Sequence, residues 1–302
     1  MRVFMTGGTG FVGSMLTKRL TSKGHVVTLL TRKIRKSHPV PQGVSMVEGN
    51  PTQPGPWQED AANHEILINL AGAPVYRRWT DAEKHLIHDS RIETTKNLVN
   101  ALERRTGMKT TLLSTSAVGY YGFHGDETLN EGSLPGKDFL ASIAREWEET
   151  ALRAEALGAR VALCRFGIVL GLGGGALGEM IPIFNKGLGS PLGSGRQWCS
   201  WIHQMDLARI FLFIMEREDL SGAFNCTAPE PVRNKELTKV LGEVLGRPTI
   251  MPSVPGFVIR MIKGEFGNVL LKGQRVLPEK LLKTGFQFQY PDLSSALEDL
   301  LV

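Results

Sequence analysis

Three glycines close to the N-terminus, Gly7, Gly10 and Gly13, are spaced G-x-x-G-x-x-G directly after the short apolar run Val3-Phe4-Met5. This spacing suits a turn from a strand into a helix. One glycine permits the tight turn, a second lets backbone N–H groups approach a pyrophosphate, and a third lets the helix pack closely on the strand. A plain glycine turn is the alternative, but the strand–turn–helix context favours a dinucleotide site at the helix N-terminus. The predicted contacts are Gly7, Thr9, Gly10, Phe11, Val12 and Gly13.

The end of the next predicted strand, residues 26–30, indicates which dinucleotide would bind. NAD-binding proteins usually carry an Asp or Glu there, which accepts a hydrogen bond from the ribose 2′-hydroxyl. This chain has Thr31, Arg32 and Lys33 instead. A carboxylate would repel a 2′-phosphate, whereas a guanidinium and a hydroxyl would bind it. A solvated basic loop is the alternative interpretation, and we favour NADP as the cofactor.

The predicted elements that position these residues alternate between strands and helices. Apolar residues recur at three- and four-residue steps after Phe11, which predicts a helix that ends at Gly24. Further strands are predicted at 26–30, 66–70, 110–113, 161–164 and 224–226, and further helices at 81–104, 139–156, 206–218 and 292–302. Parallel strands need crossover helices, so this order predicts an α/β fold with a doubly wound parallel (Rossmann) sheet. The ligand crevice of such a sheet lies at the carboxyl ends of its strands.

The second half of the chain differs in composition and has fewer clearly predicted helices and strands. Residues 171–200 hold many glycines and few clear elements, and the segment from about Arg247 onward is rich in Pro, Lys and Gly. At roughly 150 residues per domain, the length allows about two domains. We predict an NADP-binding domain over 1–169, to which 206–229 return, and a smaller C-terminal cap formed by 170–205 and 230–302.

The composition is that of a globular protein, which excludes a disordered chain and a coiled coil. Of the 302 residues, 42% are hydrophobic and 22% are charged. The excess of 35 Lys and Arg over 30 Asp and Glu is mild and forms no block, so no nucleic-acid partner is expected. The three cysteines lack CxxC spacing, the histidines lack metal-ligand spacing, and there is neither a signal peptide nor an apolar run of ~18 residues. We therefore expect a cytoplasmic protein with no metal site and no membrane partner.

Several stretches together resemble the extended short-chain dehydrogenase/reductase superfamily. They are Thr6 to Gly13, Asn69-Leu70-Ala71-Gly72, the run STSAVGYYG from Ser114 to Gly122, and Trp201-Ile202-His203 followed by Asp206. A narrower set is similar to the subgroup called epimerase family protein, also labelled cell-division-inhibitor-like. This set comprises Arg78-Trp79-Thr80, the glycine-rich run from Gly167 to Leu177, and the run from Gly193 to Trp198. The resemblance covers essentially the whole chain.

This resemblance implies further cofactor contacts. Leu70, Ala71 and Gly72 correspond to the segment that lies along the cofactor. Asn50 stands where many relatives have an Asp that contacts the adenine, and because Asn can both donate and accept, the contact can persist.

Two arginines, Arg91 and Arg165, are also assigned to the cofactor. Arg91 lies on a predicted helix whose end should face the cofactor, and a surface salt bridge to Asp89 or Glu93 is the alternative. Arg165 ends an otherwise apolar strand. A charge there must be paired or face a cleft, so we expect it near the nicotinamide.

The proton donor implied by the resemblance, a Tyr with a Lys four residues later, is missing. Four residues after Tyr76, Tyr120, Tyr121 and Tyr290 stand Thr80, His124, Gly125 and Ser294, and the corresponding helix carries Phe139 and Ile143. Ser116 would still polarise a substrate carbonyl, with a turn cap as the alternative. Tyr120 or Tyr121 would donate the proton, unless that aromatic pair only packs.

The function implied is that of an NADP-binding oxidoreductase or epimerase-like enzyme with a small-molecule substrate that the sequence does not identify. The alternative is a non-catalytic, NADP-responsive binding or regulatory protein, which the missing Tyr/Lys pair favours. Dimerisation is common in the superfamily, so a homodimer is expected by analogy alone.

Overall fold

The computed structural model describes residues 1–34, 40–105 and 107–302. In these residues the strands are β1 (Arg2–Thr6), β2 (Val26–Thr31), β3 (Val44–Glu48), β4 (Ile66–Asn69), β5 (Thr111–Ala117), β6 (Thr128–Leu129), β7 (Arg160–Phe166), β8 (Ile168–Leu170), β9 (Trp198–Cys199), β10 (Trp201–His203), β11 (Gly222–Cys226), β12 (Val232–Arg233) and β13 (Arg275–Val276). The helices are α1 (Phe11–Ser22), α2 (Trp57–Ala62), α3 (Asp81–Ala101), α4 (Phe139–Ala156), α5 (Gly175–Asn185), α6 (Gln204–Glu216), α7 (Asn234–Val244), α8 (Gly256–Lys263), α9 (Gly267–Leu271), α10 (Glu279–Lys283) and α11 (Leu293–Leu301).

Seven of the strands form one sheet in the order β11-β7-β5-β4-β1-β2-β3. Every neighbouring pair in this sheet is parallel. The carboxyl ends of all seven strands therefore lie along the same edge. The order reverses on either side of β1, which confirms the predicted doubly wound α/β fold and brings the segments that follow β1, β4 and β5 next to one another.

Both faces of the sheet are covered, because the side chains of each strand alternate between two cores. Val3 and Met5 of β1 pack with α1 and α6, whereas Phe4 between them packs with α2, α3 and α4. A strand buried on both faces needs an unbroken apolar run, and this explains the sequence Val3-Phe4-Met5.

The sequence predicts the long elements of the sheet domain closely. The helix predicted over 139–156 is α4 with the same bounds, and its N-terminus is fixed by Asp138, whose carboxylate accepts hydrogen bonds from the Leu140 and Ala141 amides. The helix predicted over 81–104 is α3 followed by the 3₁₀ turn Leu102–Arg104. The glycine-rich stretch 171–200 contains one helix that the sequence did not predict, α5. Glycine and proline conceal this helix in the sequence, but its Leu177 and Phe184 are buried against tertiary neighbours.

A smaller C-terminal part packs beside the sheet, as predicted. Its strands lie in two-stranded sheets, β10 paired with β8, β12 with β9, and β13 with β6, and β6 comes from the range 1–169. A separate core forms here around Trp201, Leu237 and Leu297. Leu281 and Phe286 pack instead into the core on the α1/α6 face of the main sheet. The exact division into 1–169 with 206–229, and 170–205 with 230–302, stays a prediction.

Two further observations concern the surroundings of the protein. Cys164, Cys199 and Cys226 are all buried, free thiols. Within the residues that the structure describes, no helix is both long enough and apolar enough to cross a bilayer. The cytoplasmic location stays a prediction.

Candidate functional site

The glycine turn, residues Gly7 to Gly13, packs closely against backbone at the carboxyl edge of the sheet. Gly7 has φ +70°, and a Cβ there would lie 2.7 Å from the carbonyl carbon of Leu70. A Cβ on Gly13 would lie 2.2 Å from the Gly7 carbonyl oxygen. No side chain caps the N-terminus of α1 at Gly10, so the first-turn amides are left for an anion. The turn therefore fits a pyrophosphate held by backbone N–H groups.

Side-chain hydrogen bonds fix the segment after β4 against the glycine turn. The Thr6 hydroxyl donates to Asn69 Oδ1 at 2.8 Å and accepts from the Ala71 amide at 3.3 Å. Asn69 Nδ2 in turn donates to Thr95 Oγ1 of α3, which also accepts from Trp147 Nε1 of α4. These hydrogen bonds connect Ala71 to buried side chains of β4, α3 and α4, so the position of Ala71 is fixed by the packing of the core. The structure thus brings the predicted residues Leu70 and Ala71 beside Gly7, and Gly72 follows next along the chain.

Arg91 lies directly beneath this segment. A Cβ on Gly72 would be 3.1 Å from Arg91 Cζ, and the guanidinium donates to the carbonyl oxygens of Ile87 (2.9 Å) and Ala73 (3.1 Å). Burial lowers the pKa of Arg91 to about 10, with the nearby Tyr76 acting in the opposite direction. An arginine in this position holds a positive charge under the segment that the resemblance assigns to the cofactor.

The alternative for Arg91, a surface salt bridge, is not what the structure contains. Asp89 pairs with His88 at 2.8 Å, and Glu93 with Lys96 at 3.8 Å. Among the described residues no carboxylate forms an ion pair with Arg91, and its guanidinium contacts two carbonyl oxygens and the face of the Trp147 ring, whose centre is 5.4 Å from Cζ.

The end of β2, where the adenosine ribose is expected, is open and basic. Arg32 and Lys33 follow β2 with exposed side chains. The Thr31 hydroxyl donates to the Lys33 carbonyl at 3.2 Å, which orders the start of this loop. Glu48, at the register position of Thr31 on β3, accepts a hydrogen bond from the Ile34 amide at 3.1 Å. Within the described ranges, Arg32 forms no ion pair.

Asn50 lies next to this end, on the turn after β3. Its Oδ1 accepts hydrogen bonds from the amide (3.2 Å) and the hydroxyl (3.0 Å) of Thr52. These bonds occupy the acceptor side of the amide, so Asn50 offers its Nδ2 group as a donor to an adenine. Whether it does so stays a prediction.

A buried polar cluster follows the end of β5. It consists of Ser116, Tyr121, Glu148, Arg165 and Asn225. The Ser116 hydroxyl donates to Glu148 Oε1 at 2.6 Å. Arg165 binds the same carboxylate through Nε (2.8 Å) and Nη2 (2.7 Å), and both charged side chains are buried. Burial alone would lower the pKa of Arg165, but the hydrogen bonds and the charge of Glu148 raise it above its usual value, so the guanidinium keeps its charge.

The two neighbouring tyrosines that were assigned to proton transfer have different surroundings. Tyr121 is 0% exposed, and its hydroxyl donates to Asn225 Oδ1 (2.7 Å) and accepts from Arg165 Nη1 (2.8 Å). Burial raises the pKa of Tyr121 to about 12. Tyr120 is only half-buried, and its ring centre lies 3.6 Å from Arg165 Cζ. Of the two phenols, Tyr120 is the one that faces outward.

The helix that should carry the Tyr/Lys pair, α4, has apolar side chains at the corresponding positions, Phe139 and Ile143. The sequence of α4 contains neither a tyrosine nor a lysine, so no shift in register restores the pair. Phe139 packs edge-on against Trp79, with ring centres 5.1 Å apart. Ile143 is 5% exposed. This part of the site is closed by apolar contacts.

Sequence reasoning missed Glu148 and Asn225, the two partners that complete the buried polar cluster. A signal for Glu148 exists, because it falls in the apolar stripe of α4 that also carries Ala144, Trp147 and Ala151. A carboxylate on a buried helix face needs a cation, and Arg165 was already identified as a charge in a buried strand. Asn225 gives no comparable signal, because it contacts Tyr121 across 104 residues of chain.

Comparison with known proteins agrees with this architecture. The profile of the NAD dependent epimerase/dehydratase family matches residues 3–227, and that of a domain of unknown function (DUF1731) matches residues 254–300. The chain is 40% identical over its full length to the chloroplastic epimerase family protein SDR39U1 homolog of Arabidopsis thaliana, of which it covers 87%. It is 38% identical over its full length to the epimerase family protein YfhF of Bacillus subtilis, of which it covers 98%.

A solved structure is similar as well. The crystal structure of human epimerase family protein SDR39U1 (isoform 2) with NADPH has a TM-score of 0.87 and 34% identity, with 100% of this chain and 99% of that chain covered. The family match extends over most of the chain, and both relatives cover it from end to end. The chain therefore belongs to the NAD dependent epimerase/dehydratase family, within the extended short-chain dehydrogenase/reductases and their subgroup of epimerase family proteins.

Proposed function

We propose that this protein binds NADP along the carboxyl edge of its sheet. The observation that carries the proposal is the combination of a backbone-lined glycine turn with a strand end that presents Thr31, Arg32 and Lys33. The turn suits the pyrophosphate, and the exposed guanidinium suits the 2′-phosphate of the adenosine ribose. The similar human protein was crystallised with NADPH, which supports the choice of nucleotide.

The contacts proposed for the cofactor follow the edge from one end to the other. The 2′-phosphate would lie by Arg32 and Lys33, the adenine by Asn50, and the pyrophosphate at the glycine turn. The remaining proposed contacts are Leu70, Ala71, Gly72 and Arg91. Because no carboxylate of the described residues pairs with Arg91, a nearby phosphate would add the anionic partner that its carbonyl and Trp147 contacts do not supply.

The test is the substitution Arg32→Asp, with binding of NADPH and NADH followed by fluorescence titration. We expect NADPH to bind about 10- to 100-fold more weakly, because a charge-assisted hydrogen bond is lost and a repulsive carboxylate is introduced. NADH affinity should change much less. The matched control is Arg153→Asp, on the exposed face of α4. Equal losses for both nucleotides in Arg32→Asp would refute the assignment.

We further propose that the protein is an oxidoreductase or epimerase-like enzyme for a small-molecule substrate. NADP supplies hydride transfer at its nicotinamide when bound. The chain would supply Ser116 to orient the reacting oxygen and Tyr120, or a water beside it, to exchange the proton. Arg165 and Tyr121, whose polar atoms bind within the buried polar cluster, would position these two groups. All three nitrogens of the Arg165 guanidinium already donate hydrogen bonds within the cluster. A direct contact of Arg165 with the cofactor would therefore have to use one of its few remaining N–H groups.

A second candidate function is a non-catalytic protein that responds to NADP. Two observations favour it: α4 has no Tyr/Lys pair, and the Ser116 proton is donated to Glu148 rather than left for a substrate. Occupancy by NADP would then order the smaller C-terminal part and change a protein contact.

A turnover assay separates the two candidates. Purified protein with NADPH is scanned against a panel of carbonyl compounds and nucleotide sugars, and loss of NADPH absorbance is recorded. Turnover that disappears in Ser116→Ala but persists in Ser142→Ala, an exposed serine of α4, supports the enzyme. Tight NADPH binding without turnover across the panel supports the NADP-responsive protein.

A further inference from the structure

Helix α8 (Gly256–Lys263) presents large apolar side chains to the surface. Phe257 is 70% exposed, Met261 is 69% exposed and Ile262 is 62% exposed, and these three side chains are called the α8 face. Phe257 and Met261 are four residues apart, so they lie next to each other on one side of the helix. Single exposed apolar residues are ordinary on a protein surface, whereas a group of them on one element marks a site of contact.

The opposite side of α8 holds the helix in place. Ile259 is buried, and a Cβ on Gly267, at the start of α9, would lie 3.2 Å from its carbonyl oxygen. The same Cβ would lie 3.1 Å from Arg260 Cα, so α9 packs directly against this side of the helix. A Cβ on Gly256 would lie 3.3 Å from Leu271 Cδ1. One side of α8 is therefore fixed by packing, and the α8 face is directed away from the protein.

Further exposed apolar side chains lie near the start of α8. The Val254 amide donates to the Pro191 carbonyl oxygen at 2.9 Å, which joins the segment before α8 to the segment after α5. Leu188 precedes Pro191 by three positions and Met251 precedes Val254 by three, so each lies within about 11 Å of that bonded residue. Both side chains are exposed, and the Ile250 side chain is 87% exposed. The exposed apolar surface thus extends beyond a single helix.

The charges on this part of the surface have one sign. Residues 247–264 contain Arg247, Arg260 and Lys263 and no acidic residue. Glu265, which follows them, forms an ion pair with Lys84 of α3 at 2.5 Å. In the part of the chain that the structure describes, neither Arg260 nor Lys263 forms an ion pair. The surroundings of the α8 face therefore carry positive charge that no carboxylate of the described residues neutralises.

These features fit a lipid surface better than a protein partner. Protruding apolar side chains enter the boundary between headgroups and acyl chains, and long basic side chains beside them reach the headgroups, which attract them when anionic. A second copy of this chain would bring like charges together, and a different protein would need a groove with acidic walls. The expectation of no membrane partner rests on the long apolar run that a span requires, and a helix on the membrane surface requires no such run.

We propose that α8 binds the surface of membranes that contain anionic lipids. The side chains of the α8 face enter the layer below the headgroups, and Arg260 and Lys263 contact the lipid phosphates. None of the residues proposed to bind NADP belongs to α8, so this interaction is independent of the proposed function.

The first experiment is flotation of the full chain with vesicles, either of phosphatidylcholine alone or of equal parts phosphatidylcholine and phosphatidylglycerol. We expect wild type to bind the anionic vesicles and to bind the neutral ones about tenfold or more weakly. F257S/M261S should bind the anionic vesicles about tenfold or more weakly than wild type, because the apolar contact is lost. The matched control is L134S/L282S, which changes two exposed leucines elsewhere in the chain and should bind as wild type does. All four positions are exposed, so folding should be retained.

Further variants test the charge and the depth of the contact. R260E should weaken binding to anionic vesicles about tenfold, whereas R153E, at an exposed position of α4, should not. F257W places an indole on the α8 face, and we expect lipids brominated on their acyl chains to quench its fluorescence more than that of L134W. Quenching requires contact with the acyl layer, so adsorption by charge alone would not produce it.

Four results would overturn the proposal: no binding of wild type to anionic vesicles, equal binding to neutral vesicles, the same affinity in F257S/M261S as in L134S/L282S, or no added quenching in F257W. Analytical ultracentrifugation covers another occupant. Self-association that F257S/M261S abolishes, in a chain that binds no vesicles, would make the α8 face an interface between two copies and reject the membrane. All variants should bind NADPH as wild type does, so the result for α8 stands whether or not the cofactor proposal holds.

Discussion

At the glycine turn the surface offered to a ligand is made of backbone, and at the start of α1 no side chain caps the amides. At the end of β5, in contrast, the polar atoms belong to side chains that already bind one another, from Ser116 through Glu148 and Arg165 to Tyr121. The first region is ready for an anion, whereas the second satisfies its own hydrogen bonds. Nucleotide binding at the glycine turn would depend on backbone amides, whereas chemistry at the end of β5 would depend on side chains. Substitutions should therefore alter the two separately.

The largest expected effect is on the buried polar cluster, through Glu148→Ala. This change leaves Arg165 buried without its carboxylate, and we expect the free energy of unfolding to fall by about 3–5 kcal/mol. Urea denaturation measures the loss. Glu155→Ala, at an exposed position of the same helix, is the control and should stay within about 0.5 kcal/mol. A small loss for Glu148→Ala would mean that the cluster is not a stabilising unit of the fold.

The substitution Gly13→Ala tests the glycine turn, again through the free energy of unfolding and also through NADPH affinity. The added Cβ would lie 2.2 Å from the Gly7 carbonyl oxygen, so the backbone must move. We expect a loss of about 1–3 kcal/mol in unfolding free energy, together with NADPH binding weakened more than tenfold. Gly178→Ala, inside α5 with no atom near the new methyl group, should instead stabilise by roughly 0.5–1 kcal/mol. Unaltered NADPH affinity in Gly13→Ala would contradict a pyrophosphate at this turn.

The two adjacent tyrosines sharpen the comparison within the second region. Tyr121→Phe removes a hydroxyl that binds Asn225 and Arg165, and we expect about 1–2 kcal/mol less stability with NADPH affinity unchanged. Tyr120→Phe should leave stability within about 0.5 kcal/mol and lower turnover if a substrate is found. Thermal unfolding of both variants checks this order, and a larger loss for Tyr120→Phe would reverse the assignment of the two phenols.

The smallest expected effect is that of salt. Exposed charges such as Arg32 are screened at high ionic strength, because the Debye length falls from about 10 Å at 0.1 M to about 3 Å at 1 M. NADPH affinity should therefore weaken by a few-fold over this range, as measured by titration. The stability difference between Glu148→Ala and wild type should be nearly constant over the same range, since that pair is buried. A salt-independent NADPH affinity would argue against ionic recognition of the 2′-phosphate.

Several features of this protein follow from the sequence alone, because local physics determines them. The glycine spacing predicts the turn without knowledge of the fold. Only glycine fits at Gly7 and Gly13, because a Cβ at either position would collide with backbone atoms. The bounds of α4 follow from the Asp138 cap and the helical period. The alternation of strands and helices was enough to predict the parallel sheet, because parallel strands need crossovers.

Other features were decided only by the tertiary structure. Arg91 lies beneath Gly72, and Arg165 binds Glu148, because separate strands and helices end at one edge; the sequence shows each charge but not its partner. Helix α5 forms in a stretch rich in glycine because burial of Leu177 and Phe184 outweighs weak local propensity. The pocket lined by residues 123–126, 196–198, 233 and 271–273 combines positions about 150 apart, from Gly125 to Lys272, and no local pattern connects them. Residue spacing along the chain predicts the turns, helices and strands that neighbouring residues form. Only the folded chain determines which distant charged residues come into contact.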